Sequence, residues 1–458
     1  MGAIVVAGVT SGVGKTTVAA GLMGALRRRG FKVQPFKTGP DYIDPMYHTR
    51  VTGEPSRNLD TWLLSREAVI ELFSRAMRGK DMAVIEGVMG LYDGRSALGE
   101  EGSTAELAKI LGAPVLLVVD SQKAARSLAA IVTGYKTFDP AVRIAGVILN
   151  GIGSSQHFEM CAQSIEQCTG TPVLGYLPRK EELSLPERHL GLVPTVEGAV
   201  NDDFFARLVA QCEATFDIVK IVRLAEQVQT PQVEPALFPV KRQPKKAMIG
   251  LAQDMAFSFY YQDTLDLLEA WGAELAPFSP LQDSALPRGV CGLYIGGGFP
   301  ELYAAGLAEN ISLKTAIRQA FRQGMPVYGE CGGLMYLGTA LRDFEGKVHD
   351  MVGAIPVSSQ IASPRLSLGY RTVQALNDGP LLKKGETVRG HEFHWSVLEN
   401  TSVDANAYRI IDKNDRLEGF QVRNLLVSYV HLHMGSLPSM VGRFIDSCER
   451  FHNGQGRA

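Results

Sequence analysis

Short runs of β-branched and aliphatic residues alternate with helical patterns along this chain, and this alternation constrains the fold more than any other feature. In the first half the expected strands are Ala3–Ala7, Val33–Phe36, Ala83–Glu86, Val115–Val119 and Ile144–Leu149. The helical patterns between them are Thr16–Arg29, Ser65–Met77 and Thr104–Leu111. Because the apolar runs are continuous rather than alternating, each strand should be buried on both faces. The sequence therefore predicts an α/β fold with a doubly wound, mostly parallel sheet.

The alternation breaks between Glu226 and Lys246, where four prolines and many polar residues leave no period of 2 or 3.6. This composition is typical of a linker, so we expect a domain at 1–225, a linker at 226–246 and a second domain at 247–458. The expected elements of the second domain are strands Ala247–Ala252, Gly292–Ile295 and Pro326–Tyr328 and helices Phe259–Trp271 and Leu313–Arg322. Two later segments are strand-like but less regular: Tyr370–Ala375 and Gln421–Tyr429.

The composition excludes several classes of protein. With 46 basic and 48 acidic residues the formal net charge is −2, which gives no sign of a nucleic-acid partner. The apolar start, Met1–Val9, is too short to span a membrane and lacks a basic beginning, so we expect a buried strand and no membrane partner. The six cysteines are 161, 168, 212, 291, 331 and 448. They are too scattered for a disulfide framework, so we expect a cytoplasmic protein.

A glycine-rich loop follows the first expected strand and opens the first helix: GVTSGVGKTT, residues 8–17. Its glycines let successive backbone N–H groups point at phosphate oxygens, and the helix N-terminus favours an anion. Lys15 would reach the β- and γ-phosphates, and the Thr16 hydroxyl would hold Mg²⁺. The strict G-x-x-x-x-G-K-[ST] spacing is missed by one, because Val9 stands at the first glycine, and an ordinary glycine-rich turn is the alternative. The predicted nucleotide-binding residues are Gly12, Gly14, Lys15, Thr16 and Thr17.

Two more segments end expected strands at the same carboxyl edge, where doubly wound sheets bind ligands: KTGPDYIDP and IEGVMGLYDG. The first carries Asp41 and Asp44, and the second carries Glu86 and Asp93. A carboxylate directly after a strand is well placed for Mg²⁺, a reacting water or a phosphate. Taken singly, each could instead be a helix cap or a solvated turn. Their shared position beside the glycine-rich loop favours the functional interpretation.

The segment PVYGECGGLMYLG predicts a strand, a sharp turn and a helix, with Cys331 in the turn. This is the arrangement of a nucleophile elbow, in which the side chain stands exposed at a helix N-terminus that favours the thiolate. The N–H of Gly332 can donate to an oxyanion, and a second donor is expected in YIGGGFPE from Gly297 or Gly298. A buried structural cysteine is the alternative, and it fits poorly with the glycines on both sides.

A thiolate nucleophile needs a base or imidazolium partner. The segment SYVHLHMG offers His431 and His433, and residues two apart on a strand share a face, so either could serve. We favour His431. A second cluster, GHEFHWS, is treated as secondary and contributes His391, Glu392 and His394. Two further histidines have no predicted role: His48 and His349.

Taken together, these motifs resemble those of the cobyrinate a,c-diamide synthase family. The matching segments are GVTSGVGKTT, QPFKTGPDYIDP, SRNLD, IEGVMGLYDG, YIGGGFPE, YGECGGLMYL, GHEFHWS and SYVHLHM. They extend over nearly the whole chain in the family's order. The resemblance implies an N-terminal phosphate-loop synthetase domain of the dethiobiotin-synthetase branch. It implies a C-terminal class I glutamine amidotransferase domain of the cobyric-acid-synthase type.

The resemblance also implies a reaction. Cys331 and His431 would release ammonia from L-glutamine, while MgATP would phosphorylate a substrate carboxylate. Ammonia would then displace phosphate, so that the a and c acetate side chains of cobyrinate become amides in cobalamin biosynthesis. Forming an acyl phosphate has a physical reason, because a free carboxylate is a poor acyl donor, and a sheltered source keeps ammonia unprotonated.

Residue roles follow from the resemblance position by position. The matches for Mg²⁺ ligands are Thr16, Asp41 and Glu86. The residues in motifs associated with the carboxylate substrate and the phosphoryl intermediate are Asp41, Asp44 and Asp93. The expected oxyanion donors are Gly298 and Gly332. The chain departs from the broader amidotransferase class because no acidic residue stands two positions after His431, so the third member of the cysteine site is open.

Several alternatives stay open at this point. Close relatives with the same motifs amidate nickel sirohydrochlorin, and hydrogenobyrinate is a further related tetrapyrrole. A different class is the partitioning-type ATPase switch, which carries an extra lysine early in the loop, where this chain has Thr10 and Ser11. Such a switch has no use for the cysteine turn. The sequence does not indicate an oligomeric state.

Overall fold

The computed structural model describes residues 2–183, 185, 187–188, 191–192, 195, 200–228, 231–361, 366–399, 405–412 and 415–455. The chain divides into two compact units, Met1–Glu234 and Pro235–Ala458. The division falls inside the stretch 226–246 that composition predicts to be a linker. Across the described ranges, no helix is long and apolar enough to cross a membrane.

The first unit is built on a seven-stranded sheet in which every pair of neighbouring strands is parallel, with the order β3-β2-β4-β1-β5-β6-β7. Its strands are β1 Gly2–Gly8, β2 Val33–Thr38, β3 Arg57–Leu59, β4 Met82–Gly90, β5 Val115–Asp120, β6 Ile144–Ile152 and β7 Val173–Pro178, followed by the short pair β8 Glu187–Arg188 and β9 Gly191–Leu192. Its helices are α1 Lys15–Arg28, α2 Asp44–Thr52, α3 Arg66–Ala76, α4 Thr104–Leu111, α5 Ser127–Phe138, α6 Ser155–Thr169, α7 Asp202–Thr215 and α8 Ile218–Ala225. The predicted doubly wound α/β class is confirmed.

The order of these strands positions the loops that carry chemistry. Strands β2, β4 and β1 are neighbours and parallel, so their carboxyl ends lie side by side at one edge of the sheet. The glycine-rich loop follows β1, the first acidic segment follows β2, and the second acidic segment follows β4. This is the crevice in which open parallel sheets bind ligands.

Helix α1 packs against α7 through two glycines that let the helices approach closely. A Cβ on Gly21 would lie 2.3 Å from Cys212 Sγ, and a Cβ on Gly24 would lie 2.2 Å from Val209 Cγ2. Both distances are far below van der Waals contact. Glycine lowers the stability of an isolated helix, but at these two positions it allows α1 and α7 to pack closely.

The second unit contains a ten-stranded sheet with the order β11-β10-β12-β13-β22-β21-β20-β17-β18-β23. It is parallel from β11 to β22 and antiparallel from β22 to β23. The strands of this sheet are β10 Ala247–Ala252, β11 Ala273–Phe278, β12 Gly292–Ile295, β13 Val327–Glu330, β17 Ser367–Ala375, β18 Thr387–His394, β20 Asn406–Ile410, β21 Arg416–Val422, β22 Leu425–Ser428 and β23 His431–Leu432. A separate four-stranded sheet contains β14 Ala340–Arg342, β15 Val348–Asp350, β16 Ser358–Ile361 and β19 Ser396–Glu399. The helices are α9 Gln262–Ala270, α10 Ala304–Glu309, α11 Ile311–Arg322, α12 Gly332–Leu337 and α13 Ser439–Gln455.

Two of the elements predicted from the sequence in this unit have the wrong extent. The predicted strand Gln421–Tyr429 is two antiparallel strands, β21 and β22, joined by a turn at Arg423 and Asn424, where Arg423 has φ +54°. Apolar residues on both sides of the turn concealed it. The predicted helix Phe259–Trp271 begins only at Gln262, because Phe259 is held in a bridge to Gly297.

The close packing of α1 and α7 gives a test with an internal control. Gly21→Ala should lower the free energy of unfolding of the first unit by about 1–3 kcal/mol, because the new methyl group overlaps Cys212. Gly134→Ala, on the exposed side of α5 where a Cβ meets nothing within 4 Å, should instead stabilise the unit by about 0.5–1 kcal/mol. Urea denaturation of both variants measures the difference, and equal effects of the same sign would contradict the packing argument.

Candidate active sites

The glycine-rich loop is shaped by a left-handed turn at its end. Gly14 has φ +88° and stands at the N-cap of α1. The side-chain amide of Asn150, at the end of β6, donates to the carbonyl of Val13 at 3.0 Å. A Cβ on Gly14 would lie 2.3 Å from Asn150 Nδ2, so glycine is required both by the backbone angle and by this contact. The glycine-rich loop that follows β1 is therefore held by a side chain of β6, which lies two strands away in the sheet.

Lys15 turns back over its own loop. Its Nζ donates to the carbonyl of Thr10 at 3.1 Å, and the side chain is buried. Burial and the nearby charge of Lys37 lower the pKa of Lys15 to about 8, against the opposing effect of Glu86, Asp44 and Asp93. An ammonium group so poorly solvated is ready to gain an anionic partner.

Lys37, at the carboxyl end of β2, is a central residue that the sequence analysis missed. Its Nζ lies 2.5 Å from Asp44 Oδ2, 3.0 Å from Glu86 Oε1 and 3.9 Å from Asp41 Oδ2, and it donates to the carbonyl of Gly87 at 3.0 Å. The side chain is only 3% exposed. Burial by itself would lower the pKa of Lys37, but the carboxylates raise it, so the group is firmly charged. The signal was present in the sequence, because Lys37 is the first residue of the acidic segment KTGPDYIDP.

Glu86 is the most highly connected of the predicted carboxylates. Thr16 Oγ1 donates to its Oε1 at 2.7 Å, and His48 Nε2 lies 2.5 Å from its Oε2. His48, to which the sequence analysis gave no role, is thus part of this site, and its Nδ1 contacts Ser56 Oγ at 3.2 Å. Burial by itself would raise the pKa of Glu86, but Lys37, His48 and Thr16 together lower it.

The remaining predicted carboxylates lie around this pair. Asp41 Oδ1 accepts hydrogen bonds from the N–H of Ile43 at 2.7 Å and from the N–H of Asp44, the first residue of α2, at 3.3 Å, and Asp41 Oδ2 faces Lys37. Burial and the charges of Asp41 and Glu86 raise the pKa of Asp44, in spite of its contact with Lys37. Asp93 Oδ2 accepts the N–H of Gly90 at 2.9 Å and interacts electrostatically with Lys15. We call Lys15, Thr16, Lys37, Asp41, Asp44, His48, Glu86 and Asp93 the phosphate-loop site.

The donor set suits a hard cation better than a transition metal. The oxygens of Thr16 and Glu86 are adjacent, and oxygen donors are what Mg²⁺ prefers. Within the described residues no group of three or more His, Cys, Asp or Glu side chains could hold a metal ion by itself. A Mg²⁺ ion at this position would therefore need oxygens from a bound phosphate and from water, as is usual for this ion.

In the second unit, Cys331 occupies a strained turn between β13 and α12. Its backbone has φ +49° and ψ −102°, a conformation that residues with a side chain rarely adopt. The N–H of Cys331 donates to the carbonyl of Ser428 at 2.7 Å. A Cβ on Gly333 would lie 2.1 Å from the carbonyl oxygen of Ile295. Only a residue without a side chain can therefore pack against β12 at this position. Strain held by such contacts is typical of a nucleophile elbow. The expectation that the Cys331 side chain stands exposed was wrong, because it is only 5% exposed.

The two predicted oxyanion donors lie on facing turns. A Cβ on Gly332 would be 3.3 Å from the backbone nitrogen of Gly298, so the two residues are in close contact. Gly298 has φ +154°, and a Cβ there would be 2.1 Å from the carbonyl oxygen of Ala256. Two glycines therefore bring separate backbone segments together beside Cys331.

His431, on β23, is the histidine that meets the cysteine. It is 1% exposed, its side chain is hydrogen-bonded to Cys331, and its Nδ1 lies 3.5 Å from Glu330 Oε2. Burial by itself would lower the pKa of His431, but Cys331 and Glu330 raise it to about 10. Glu330 was missed in the sequence, although it directly precedes Cys331. We call Glu330, Cys331 and His431 the cysteine site.

The alternative base, His433, lies elsewhere. Its ring packs against Tyr261 with the centroids 4.9 Å apart, and its Nδ1 accepts the N–H of Gly435 at 3.1 Å. Burial lowers the pKa of His433 to about 4. Although His431 and His433 are two residues apart, they do not share a strand face, because β23 ends at Leu432 and the chain turns after it.

The secondary cluster of the sequence analysis borders the cysteine site. His391 stands opposite His431 in the antiparallel pairing of β18 with β23, and Cys331 Sγ lies 3.8 Å from the carbonyl oxygen of Phe393. The ring of His394 stacks on Tyr429 with the centroids 3.8 Å apart. Glu392 is instead paired with Arg371 at 2.7 Å and with Arg416 at 2.5 Å. The other unassigned histidine, His349, pairs with Asp343 at 2.6 Å, on strand β15.

Comparison with known proteins matches the two units to two different domain families. A CobQ/CobB/MinD/ParA nucleotide binding domain matches residues 4–193, and a CobB/CobQ-like glutamine amidotransferase domain matches residues 248–438. A cobyrinate a,c-diamide synthase from Dehalococcoides mccartyi is 46% identical over 457 residues, covering 98% of each chain. The enzymes of that name from Priestia megaterium and Caldanaerobacter subterraneus are 42% and 43% identical, and each alignment covers 97% of this chain and 97% and 98% of theirs.

The lowered pKa of Lys15 predicts that nucleotide binding takes up a proton. Lys15 is charged below about pH 8 and loses its charge above it, and bound phosphates should restore its proton. ATP affinity should therefore fall as the pH rises through about 8, with uptake of about one proton per ATP bound near pH 9. Calorimetry in buffers of different ionisation enthalpy measures this uptake.

Lys15→Arg is the matched control, because guanidinium keeps its charge over this range. Proton uptake in this variant near pH 9 should be close to zero. Equal uptake by the two proteins would show that another group is responsible.

Proposed function

This chain belongs to the cobyrinate a,c-diamide synthase family, and we propose that it uses ATP and glutamine to amidate the a and c acetate side chains of cobyrinate in cobalamin biosynthesis. Membership of the family makes it a glutamine-dependent, amide-forming ligase with a nucleotide-binding domain. The observation that carries the choice of substrate is the identity of 42–46% with relatives of that name over 97–98% of the chain.

The phosphate-loop site would activate the carboxylate. In the proposed reaction a substrate carboxylate oxygen attacks the γ-phosphorus of ATP, and ADP leaves, which produces an acyl phosphate. Lys15 would neutralise phosphate oxygens, and Lys37 would hold Asp44 and Glu86 in place beside them. Thr16 and Glu86, with Asp41 near, would hold Mg²⁺, which would neutralise charge on the phosphates.

The carboxylates at this site would also position the substrate. Asp44 Oδ2 lies 2.5 Å from Lys37 Nζ, whose positive charge would offset the repulsion between this carboxylate and a substrate carboxylate. Asp93 lies on the loop after β4, close enough to Lys15 to affect its pKa. We propose that Asp41, Asp44 and Asp93 together orient the carboxylate and the phosphoryl group.

The cysteine site would supply ammonia. The Cys331 thiol transfers its proton to His431, and Sγ attacks the side-chain amide carbon of glutamine. The oxyanion that forms would accept N–H groups of Gly298 and Gly332. The intermediate collapses to a thioester as His431 gives its proton to the departing ammonia. Water then hydrolyses the thioester to glutamate, and ammonia displaces phosphate from the acyl phosphate.

The separation of the two chemistries predicts the effect of one substitution. Cys331→Ser should reduce glutamine-driven amidation by at least about 10³-fold, because the hydroxyl is a far weaker nucleophile here. Amidation driven by added ammonium chloride should stay within a factor of about two. Cys168→Ser, at an exposed cysteine of α6, is the control and should leave both rates unchanged. Loss of both activities in Cys331→Ser would count against a separate glutaminase site.

The choice of macrocycle requires a direct assay. Cobyrinate, hydrogenobyrinate and nickel sirohydrochlorin should be offered separately with ATP and glutamine. We expect diamidation of cobyrinate, with one ATP and one glutamine consumed for each amide. Mass spectrometry of the product and the release of ADP and glutamate measure the outcome. Turnover of the nickel macrocycle alone would overturn the proposed substrate while leaving the amidation chemistry intact.

A further inference from the structure

The cysteine site lacks an acidic residue in the position where the broader amidotransferase class carries one. Two residues after His431 stands His433, which packs against Tyr261. An imidazole that shuttles protons needs a partner on its second nitrogen, because that partner fixes the ring and stabilises the imidazolium. The Nδ1 of His431 faces Glu330, so Nε2 is the nitrogen left to serve the thiol.

Glu330 is held in place by several donors. Its Oε1 accepts the hydroxyl of Tyr328 and the N–H of Leu432, the latter at 2.9 Å. Its Oε2 accepts the hydroxyl of Tyr294 at 3.1 Å and lies 3.5 Å from His431 Nδ1. The side chain is 1% exposed. The carboxylate is therefore rigid before any substrate binds, which is what an orienting group requires.

The surroundings of Glu330 give it one cationic neighbour. Over the described ranges, the only ion pair formed by Glu330 is with His431. A buried carboxylate without a cation is costly, since hydroxyl and amide donors compensate only part of its lost hydration. Protonation of His431 supplies the missing positive charge. The ionised carboxylate and the imidazolium thus stabilise each other, and an imidazolium in turn favours the thiolate of Cys331.

We propose that Glu330 is the positioning carboxylate of the cysteine site, taking the place of the acid that the broader class carries beyond its histidine. It arrives on β13, the strand that ends at the nucleophile, rather than on the strand that carries the histidine. The proposal rests on the proposed glutaminase reaction. Glu330 holds His431 in the tautomer with Nδ1 protonated and leaves Nε2 to take the thiol proton.

Glu330→Gln removes the charge and keeps the shape, so it is the first test. In the full chain, alkylation of Cys331 by iodoacetamide is followed from pH 5 to 10 by mass spectrometry of the peptide that contains it. The midpoint of the pH profile should move upward by about one unit, because the imidazolium is no longer stabilised. The kcat for glutamate release should fall on the order of 10²-fold, with KM for glutamine within a factor of about three.

Two internal references belong to this measurement. Cys168 is exposed in the same chain and should be alkylated at an unchanged rate in every variant. Glu418→Gln removes another buried carboxylate, one that binds Ser428 Oγ and the N–H of Tyr429 rather than His431, and it should leave the Cys331 profile unshifted. Within the described part of the chain, the titratable groups that interact with His431 include Cys331, Glu330, His391 and His394.

The outcomes separate the positioning role from the alternatives. An unshifted Cys331 profile in Glu330→Gln would overturn the proposal, and a fall in kcat without that shift would mark Glu330 as structural only. The thermal unfolding midpoint shows whether the variant folds. If Glu330→Gln does not fold, the alkylation profile and the kcat of Glu330→Asp test the proposal instead. An intermediate shift is expected, because aspartate keeps the charge but holds it farther from His431. Glutamate release that survives in Cys331→Ser would instead refute the proposed role of the cysteine site in glutamine hydrolysis.

Discussion

Both sites are built where a parallel strand ends and the chain turns into a helix. The turn requires a positive φ in each case, at Gly14 in the first unit and at Cys331 in the second. Glycine adopts this backbone freely, whereas a cysteine does so only because its neighbours hold it. The hydrogen bond from its N–H to Ser428 and the packing of Gly333 on Ile295 supply that restraint. The geometry of both sites therefore depends on the assembled sheet.

The two sites neutralise buried carboxylates in different ways. At the phosphate-loop site, Lys37 is shared between three acidic residues, so negative charge exceeds positive charge until a cation or a proton is added. At the cysteine site, Glu330 is surrounded by hydroxyl and amide donors, and its charge partner is a histidine that can gain or lose its proton. The first arrangement, with its excess of carboxylates, suits binding of a hard cation. The second suits a histidine that exchanges a proton with its neighbours.

Residues could be predicted from the sequence where one local motif carries the chemistry. Lys15, Thr16 and Cys331 fall into this group, because a strand, a turn and a helix next to one another in the chain are enough to position them. Lys37 and Glu86 could not be joined in this way, since they are register partners on β2 and β4 and are 49 residues apart in the chain. The register of two strands depends on the whole sheet, and no local pattern contains it.

The role of Glu330 could not be predicted from a local pattern for the same reason. Its contacts also show why a carboxylate suits that position. Strand β23 has only two residues, so its pairing with β18 is too short to orient His431 by itself. The carboxylate of Glu330 accepts the backbone N–H of Leu432 and also faces the ring of His431. One group therefore holds the main chain beside the histidine and supplies the charge that its imidazolium needs. A residue that did only one of these things would leave the ring either misplaced or without its counter-charge.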